Sequence, residues 1–296
     1  MTIDDFTPLI LNAGKASLNS NWNYSNVKSP FARLFCVIEG SATISLGGVC
    51  HNLTAGHLYL IPPFTQHSTS CDGKFVHYYI HTYEDIPAES GSIFDEWDFP
   101  FEVPATETDV ALVAQLVQNN PELRLKEFDP EKYDNHQNLM NNLYQEKERD
   151  ISTRIECKAI VMLLISHFLG KARHHNDVKD KRIRQSIKVI NSRLSKTDLR
   201  IDELKAAACL STNQFIRLFK KETGQTPLQY ITNKRIEKAQ ALLLKSEINT
   251  KNLANAVGFE DSAYFCKVFK KSTGFTPQKY RQQALNPGKL PPDNEK

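Results

Sequence analysis

The chain has 296 residues, with 37 lysines and arginines against 34 acidic residues, and its net charge of +3 hides an uneven distribution. Residues 1–177 hold 13 basic and 23 acidic side chains and residues 178–296 hold 24 and 11, so an acidic body carries a basic C-terminal third suited to a polyanionic partner. A 40% hydrophobic content excludes global disorder, and the longest apolar run, Ala159 to Ile165, is far short of the ~20 residues of a membrane span. The start, Met-Thr-Ile-Asp-Asp-Phe, shows no secretory pattern, and six scattered cysteines without a CxxC pair read as reduced thiols. A soluble cytoplasmic protein is expected.

In chain order, residues 1–103 read as short strands: Phe35 to Ile38 is an apolar run, Ala42 to Leu46 alternates, and Leu58 to Ile61 is apolar again. Glu39-Gly40, Gly47-Gly48, Ala55-Gly56, Pro62-Pro63 and Asp72-Gly73 supply turn signals between them, which suggests an antiparallel barrel or jelly roll. From Thr106 the pattern is helical, with Val110, Val113, Leu116 and Val117 on one stripe that Pro121 ends. A longer helical stretch runs from Asn138 to Leu169, with Arg149 to Thr153 as its breaking point. Residues 104–171 thus form a helical region that packs its apolar stripe on the barrel and has apolar positions to spare. Residues 172–180 are a polar linker, 181–285 a helical domain, and 286–296, with three prolines, a disordered tail.

The sharpest signal is internal repetition. The segment from Phe215 to Tyr230 recurs from Phe265 to Tyr280, with identity at Phe215/265, Phe219/269, Lys220/270, Lys221/271, Thr223/273, Gly224/274, Thr226/276, Pro227/277 and Tyr230/280. In each copy a short helix (Asp202 to Cys209; Thr250 to Val257) meets a turn, and a second helix starts after Ser211 or Asp261, both good N-caps. Gly224 and Gly274 sit where a C-cap needs a left-handed residue, and the phenylalanine pairs bury one face at i,i+4 spacing. Each copy is therefore a helix-turn-helix whose second helix would read the major groove. Pro227 to Leu244 forms one joining helix of roughly 27 Å, close to the ~34 Å between successive major grooves on one face of DNA.

Residues ~181–285 resemble the double helix-turn-helix domain of the AraC/XylS family of bacterial transcription regulators. Arg235, Ala239, Leu242 and Leu243 in the joining helix carry the likeness. With them go Leu253-Ala254, Val257-Gly258-Phe259, Asp261, Tyr264-Phe265, Phe269-Lys270 and Gly274-x-Thr276-Pro277-x-x-Tyr280-Arg281. The first copy departs more, with Lys205 in place of the usual alanine and Cys209 where a turn glycine is expected. The resemblance implies reading positions Asn213, Gln214, Ile216 and Arg217 in the first copy and Ser262, Ala263, Cys266 and Lys267 in the second. Lys220, Lys221, Lys270 and Lys271 complete the expected DNA contacts, on phosphates. Arginine reads guanine and asparagine or glutamine reads adenine bidentately, so the first copy is expected to specify sequence and the second to anchor.

The N-terminal part resembles the ligand-binding cupin that precedes this DNA domain in many family members. Of the second cupin motif, Gly56, Pro62 and His67 fit, while Phe64 replaces the second glycine and Cys71 the asparagine. Of the first motif Gly40 fits, but Arg33 stands at the glutamate position and residues 1–50 contain no histidine. A guanidinium is a poor replacement for a metal-binding carboxylate, so no metal, no other cofactor and no catalysis are expected. Such a barrel can hold a small effector, with Trp22, Tyr24, Arg33, Tyr59, His67 and Tyr79 as lining residues and Arg33 as a clamp for a carboxylate. The resemblance points to a sugar or related metabolite, implies that residues 104–171 are the dimerisation region, and implies operator DNA, RNA polymerase and a second copy as partners, with no membrane. A cupin enzyme fused to a DNA anchor, and an architectural DNA binder without effector, are the competing readings.

Overall fold

The structure, a computed structural model, describes residues 6–85, 92–174, 180–245 and 248–285. Most of the expected linker, and the whole of the proline-containing tail, lie outside the described residues. The chain divides into two compact units, one built from 1–134 and 142–177, the other from 135–141 and 178–296.

The first unit begins with β1 (Pro8–Leu18), β2 (Tyr24–Val27), β3 (Ala32–Leu46), β4 (Val49–Thr54), β5 (His57–Ile61), β6 (His67–Ser70) and β7 (Phe75–Glu84). A short helix α1 (Ile93–Glu96) then precedes β8 (Trp97–Asp98) and β9 (Glu102–Pro104). Every pairing among these strands is antiparallel, as expected, in the order β1-β7-β3-β5-β9, with β4 and β6 on the far half of β3 and β2 on β6. No ladder between described strands joins the ends of this path, so the antiparallel barrel or jelly roll suggested by the turn spacing takes the form of a bent antiparallel sheet without closure between its described end strands.

The bend lies in β3. The Glu39-Gly40 pair, expected to be a turn, sits inside one fifteen-residue strand. Its register against β7 shifts between Val37 and Glu39, and Gly40 takes a φ of +76°. A side chain there would meet the Lys74 carbonyl, so the glycine bends the strand without ending it. Ala32 to Gly40 pair with β7, and Ser41 to Leu46 with β4.

The apolar runs are continuous because both faces of the sheet are covered. Alternate residues Leu34, Cys36, Leu58, Leu60 and Ile80 pack into one cluster with Val113, Leu116, Val161, Leu164 and Phe168 of the helices α2 (Glu107–Asn119) and α5 (Ile151–Leu169). Phe35, Val37, Tyr59, Ile61 and Tyr79 face the opposite cluster with Trp22 and Phe75. Between the two helices lie α3 (Pro130–Tyr133) and α4 (His136–Glu148). The helical stretch breaks where Arg149 to Thr153 predicts, because Asp150 caps α5 by accepting from the amides of Ser152 and Thr153. No helix among the described residues is long and apolar enough to cross a membrane.

The second unit contains α6 (Lys181–Arg193), α7 (Ile201–Ala207), α8 (Thr212–Thr223), α9 (Pro227–Lys245), α10 (Thr250–Ala256), α11 (Ser262–Thr273) and α12 (Pro277–Leu285). Ser211 and Asp261 are the N-caps and Gly224 and Gly274 the left-handed C-caps, with φ of +75° and +82°. Each copy has its own core: Ile183, Ile190, Leu204, Phe215, Phe219 and Ile231 in one, and Ile236, Leu253, Val257, Phe265, Phe269 and Tyr280 in the other.

Both residues that stand where the motifs expect glycine keep the glycine backbone: Phe64 has φ +58° and Cys209 has φ +51°, against +98° at Gly258 in the second copy. An L-residue costs about 1–2 kcal/mol in that region, and glycine returns part of this as chain entropy. Cys209 is exposed, so Cys209→Gly is expected to stabilise the second unit by about 0.5–1 kcal/mol. Urea unfolding of the two proteins checks this; a lower midpoint for the glycine variant contradicts it.

Candidate functional site

Two places gather the side chains expected to act, one in each unit. In the second unit, local chemistry accounts for seven of the nine repeated residues. Phe219 and Phe269 are fully buried and meet Tyr230 and Tyr280 nearly edge-on at 5.6 and 5.3 Å. Thr223 and Thr273 donate to the Phe219 and Phe269 carbonyls at 2.8 Å, and the left-handed glycines follow. Thr226 accepts from Gln229 N, and Thr276 from Lys279 N, at the starts of α9 and α12, where Pro227 and Pro277 need no amide partner. Packing and capping leave only the paired lysines unaccounted for. Lys220, Lys221, Lys270 and Lys271 are exposed in the last turns of α8 and α11, where the helix dipole favours cations and where a phosphate can reach them.

The expected reading positions divide by exposure. Asn213, Arg217, Ala263 and Lys267 are exposed, whereas Ile216, Ser262 and Cys266 are half-buried. Cys266 packs against the second core, and burial pushes its thiol up. Gln214 is exposed, but its Oε1 accepts from Ser211 Oγ at 2.9 Å in a capping box, so reading a base requires it to leave the cap. The repeat register pairs Gln214 with Tyr264, which is 53% exposed. Sequence reasoning took Tyr264 only as a family marker, although the aligned register places it opposite an expected reading position.

Two further features fix the geometry. Lys205, the departure in the first copy, pairs with Asp202 at 2.6 Å and donates to Thr212 Oγ1 at 3.1 Å, so its charge stays at the surface. Arg235 of α9 donates to the carbonyls of Leu194 and Lys196 at 3.0 and 2.8 Å and lies over the Phe259 ring, tying the two copies through one side chain. A Cβ at Gly258 would meet both the Leu194 carbonyl and this guanidinium, which explains the glycine there.

In the first unit, a small cavity of about 30 Å³ is lined by Trp22, Tyr24, Arg33, His67 and Tyr79, five of the six side chains expected. Tyr59 is not among them: fully buried, it donates from its hydroxyl to Glu102 at 3.1 Å and accepts from Thr54 N at 2.8 Å. Phe35, Thr69, His77, His81, Leu125, Phe128, Pro130 and Tyr133 also line the cavity. Such a volume holds two waters at most.

Arg33, 2% exposed, is the polar centre. Its Nη1 donates to the Tyr133 hydroxyl at 2.8 Å and approaches His81 Nε2 at 3.3 Å; its Nη2 contacts Ser29 Oγ and pairs with Asp134 Oδ2 at 2.5 Å. The three histidines are held neutral. Burial lowers His67 to about 4 and His77 to about 3, and burial with the Arg33 charge lowers His81 well below its ordinary value. Among the described residues no three His, Cys, Asp or Glu side chains converge as a metal-ligand set.

Residues 204–283 match the family model described as "Helix-turn-helix domain". The regulatory protein PocR of Salmonella typhimurium is 28% identical over 172 residues, 52% of this chain and 56% of that protein. The transcriptional activator RhaR of Yersinia pseudotuberculosis is 39% identical over 79 residues, 27% of each chain. A crystal structure of the C-terminal domain of the response regulator yesN from Fusobacterium nucleatum is 34% identical, covering 32% of this chain and 93% of that one at a TM-score of 0.32. The chain thus spans about half the length of PocR and less than a third of RhaR.

Proposed function

We propose, from the premise that the chain belongs to the AraC/XylS family of transcription regulators, that it is a ligand-responsive DNA-binding regulator acting in the cytoplasm without catalysis. In this reading residues 181–285 bind an operator with α8 and α11, 1–103 sense a small molecule, 104–171 present a self-association face, and 172–180 connect them. The observation that carries it is the duplicated helix whose repeated residues all serve packing or capping except two pairs of exposed lysines. The nineteen-residue α9, about 28 Å long, supports the entry of both reading helices into successive grooves.

The test compares Arg217→Ala with Lys270→Ala on an operator selected from random duplexes and on a scrambled duplex. Arg217→Ala is expected to lose about 1–3 kcal/mol on the selected site and little on the scrambled one. Lys270→Ala should weaken both equally and reduce the salt slope by about one ion. Equal losses from Arg217→Ala on both duplexes would remove it from the reading set.

Self-association is supported by α5. Its apolar residues run all round the helix, and Ile151, Ile155 and Leu163 remain exposed at 74%, 62% and 42% after the inner stripe is buried. Ile155→Glu is expected to convert a dimer at micromolar concentration into a monomer in sedimentation velocity; an unchanged coefficient would place the interface elsewhere. Contact with RNA polymerase and response to a small metabolite complete the regulatory reading.

A further inference from the structure

The Arg33 cavity combines two observations that are hard to reconcile with a finished hydrophobic core. Its polar side chains are over-provided: Arg33 Nε, Thr69 Oγ1, His77 Nδ1 and His81 Nδ1 are all buried without a hydrogen-bond partner, and all four residues line the same cavity. Of these, Arg33 Nε–H is a donor. His81 Nδ1 is one too, because Nε2 faces the Arg33 donor and must be the unprotonated nitrogen. The unmet need is therefore for acceptors beside a buried positive charge.

The second observation is what now answers that charge. Asp134 reaches Arg33 from a hundred residues away in sequence, and Ser29 donates to the same carboxylate oxygen. Tyr133, one residue earlier, lies with its ring 5.3 Å from that of His81 and lines the cavity together with Phe128 and Pro130. Burial pushes the Asp134 carboxyl up, against the pull of Arg33 and Ser29, so its place on the guanidinium is a balance between desolvation and pairing.

We propose that this cavity is a site for a small monocarboxylate, which takes the place of Asp134 on Arg33 and pushes the 125–134 segment aside. Asp134 is then a built-in competitor. The charge of the incoming molecule follows from electrostatics: a neutral molecule that dislodged Asp134 would leave a buried guanidinium unpaired, whereas a carboxylate exchanges one ion pair for another. Its size follows from the cavity, whose about 30 Å³ has room for about two waters, so a larger body needs Tyr133 and the lining beside it to shift. The surrounding rings of Trp22, Phe35, Tyr79 and Phe128 favour a flat or apolar body, and the three neutral imidazoles offer it hydrogen bonds. The proposal rests on the sensing role assigned to this unit and names the chemical class it senses.

The test uses the full chain, with acetate against acetamide at matched ionic strength and benzoate against benzamide, followed by thermal shift. Asp134→Ala removes the competitor and opens space beside Arg33. It is expected to melt below the wild type in chloride and to recover saturably with acetate, with an affinity at least about tenfold above that of the wild type. Acetamide should do nothing. In Arg33→Met/Asp134→Ala the acetate response should vanish. The wild-type chain itself, whose folding is not at stake, should be stabilised by benzoate and not by benzamide. Equal responses to acid and amide would overturn the proposal. So would acetate binding that ignores the Asp134 substitution, or no response to either carboxylate in either protein. Operator binding enters none of these readouts, so a chain that takes carboxylates but prefers no DNA sequence would sink the regulatory reading and leave this site standing.

Discussion

Lowering the pH from 7 to 5 is expected to destabilise the first unit, because it buries three neutral imidazoles. His67, His77 and His81 are 4%, 2% and 2% exposed. Their folded pKa values lie below the ordinary 6.5, at about 4 for His67 and about 3 for His77, with His81 moved in the same direction. For such groups the stabilisation is complete above 6.5 and is lost as the pH falls toward the folded value, since only the unfolded chain takes up the proton. Over that interval His67 and His77 each account for about 2 kcal/mol at pH 5. Glu84 works against them. Burial raises its carboxyl to about 7, despite hydrogen bonds from Ser92 Oγ and Ile93 N, so its contribution is full below 4.5 and lost as the pH rises through 7. It returns about 2 kcal/mol on going from pH 7 to 5, leaving a net loss of about the same size from these three groups, to which His81 adds and from which the buried carboxyls of Asp134 and Glu146, also raised by burial, subtract.

His77 offers the cleanest check. It stacks on Phe75 at 4.5 Å and meets Phe35 edge-on at 5.2 Å, so a phenylalanine fits the surroundings in shape and chemistry. His77→Phe should leave the pH 7 urea midpoint nearly unchanged and remove about 2 kcal/mol of the loss at pH 5. If wild type and variant lose stability in parallel between pH 7 and 5, the acid sensitivity has another source.

These histidines also mark the limit of what the sequence displays. The absence of a carboxylate at position 33 was legible as the loss of a metal ligand, and Arg33, His67, Trp22, Tyr24 and Tyr79 do meet around one cavity. Asp134 and Tyr133 were not legible, because nothing local distinguishes a buried acid from the exposed ones around it, and only the fold brings residue 134 to residue 33. Tyr59 was misplaced for a related reason: the strand period gives its face, but not the Glu102 and Thr54 partners that hold its hydroxyl elsewhere. The glycine-bearing pair Glu39-Gly40 carries a turn signature, yet a left-handed glycine serves a bulge equally well, and strand continuity is decided by pairing across the sheet. The repeat, by contrast, could be read almost whole. Its caps, glycines and phenylalanines act within a turn or two of themselves, and the substitutions at Cys209 and Phe64 were recognisable as glycine positions before their backbone angles were known.

Because the two copies keep separate cores, truncating the equivalent phenylalanine in each should damage one copy at a time. Phe219 and Phe269 are both completely buried, and each is pinned between a phenylalanine four residues back (5.6 and 5.5 Å) and a tyrosine on the next helix. Replacing either by alanine removes a large apolar side chain and opens a cavity, at an expected loss of about 3–5 kcal/mol. Phe219→Ala acts on the smaller cluster, which also contends with the left-handed Cys209, so its copy should open first. Amide hydrogen exchange is expected to rise in α6, α7 and α8 while α10, α11 and α12 stay protected, and Phe269→Ala should reverse the pattern. The coupling that resists this separation runs along α9, where Arg235 holds the Leu194 and Lys196 carbonyls of one copy and the Phe259 ring of the other. If either substitution accelerated exchange uniformly through all the helices, α9 and Arg235 would make the two readers one cooperative unit; protection confined to the intact copy would show that each helix-turn-helix folds on its own core and is only positioned by its neighbour.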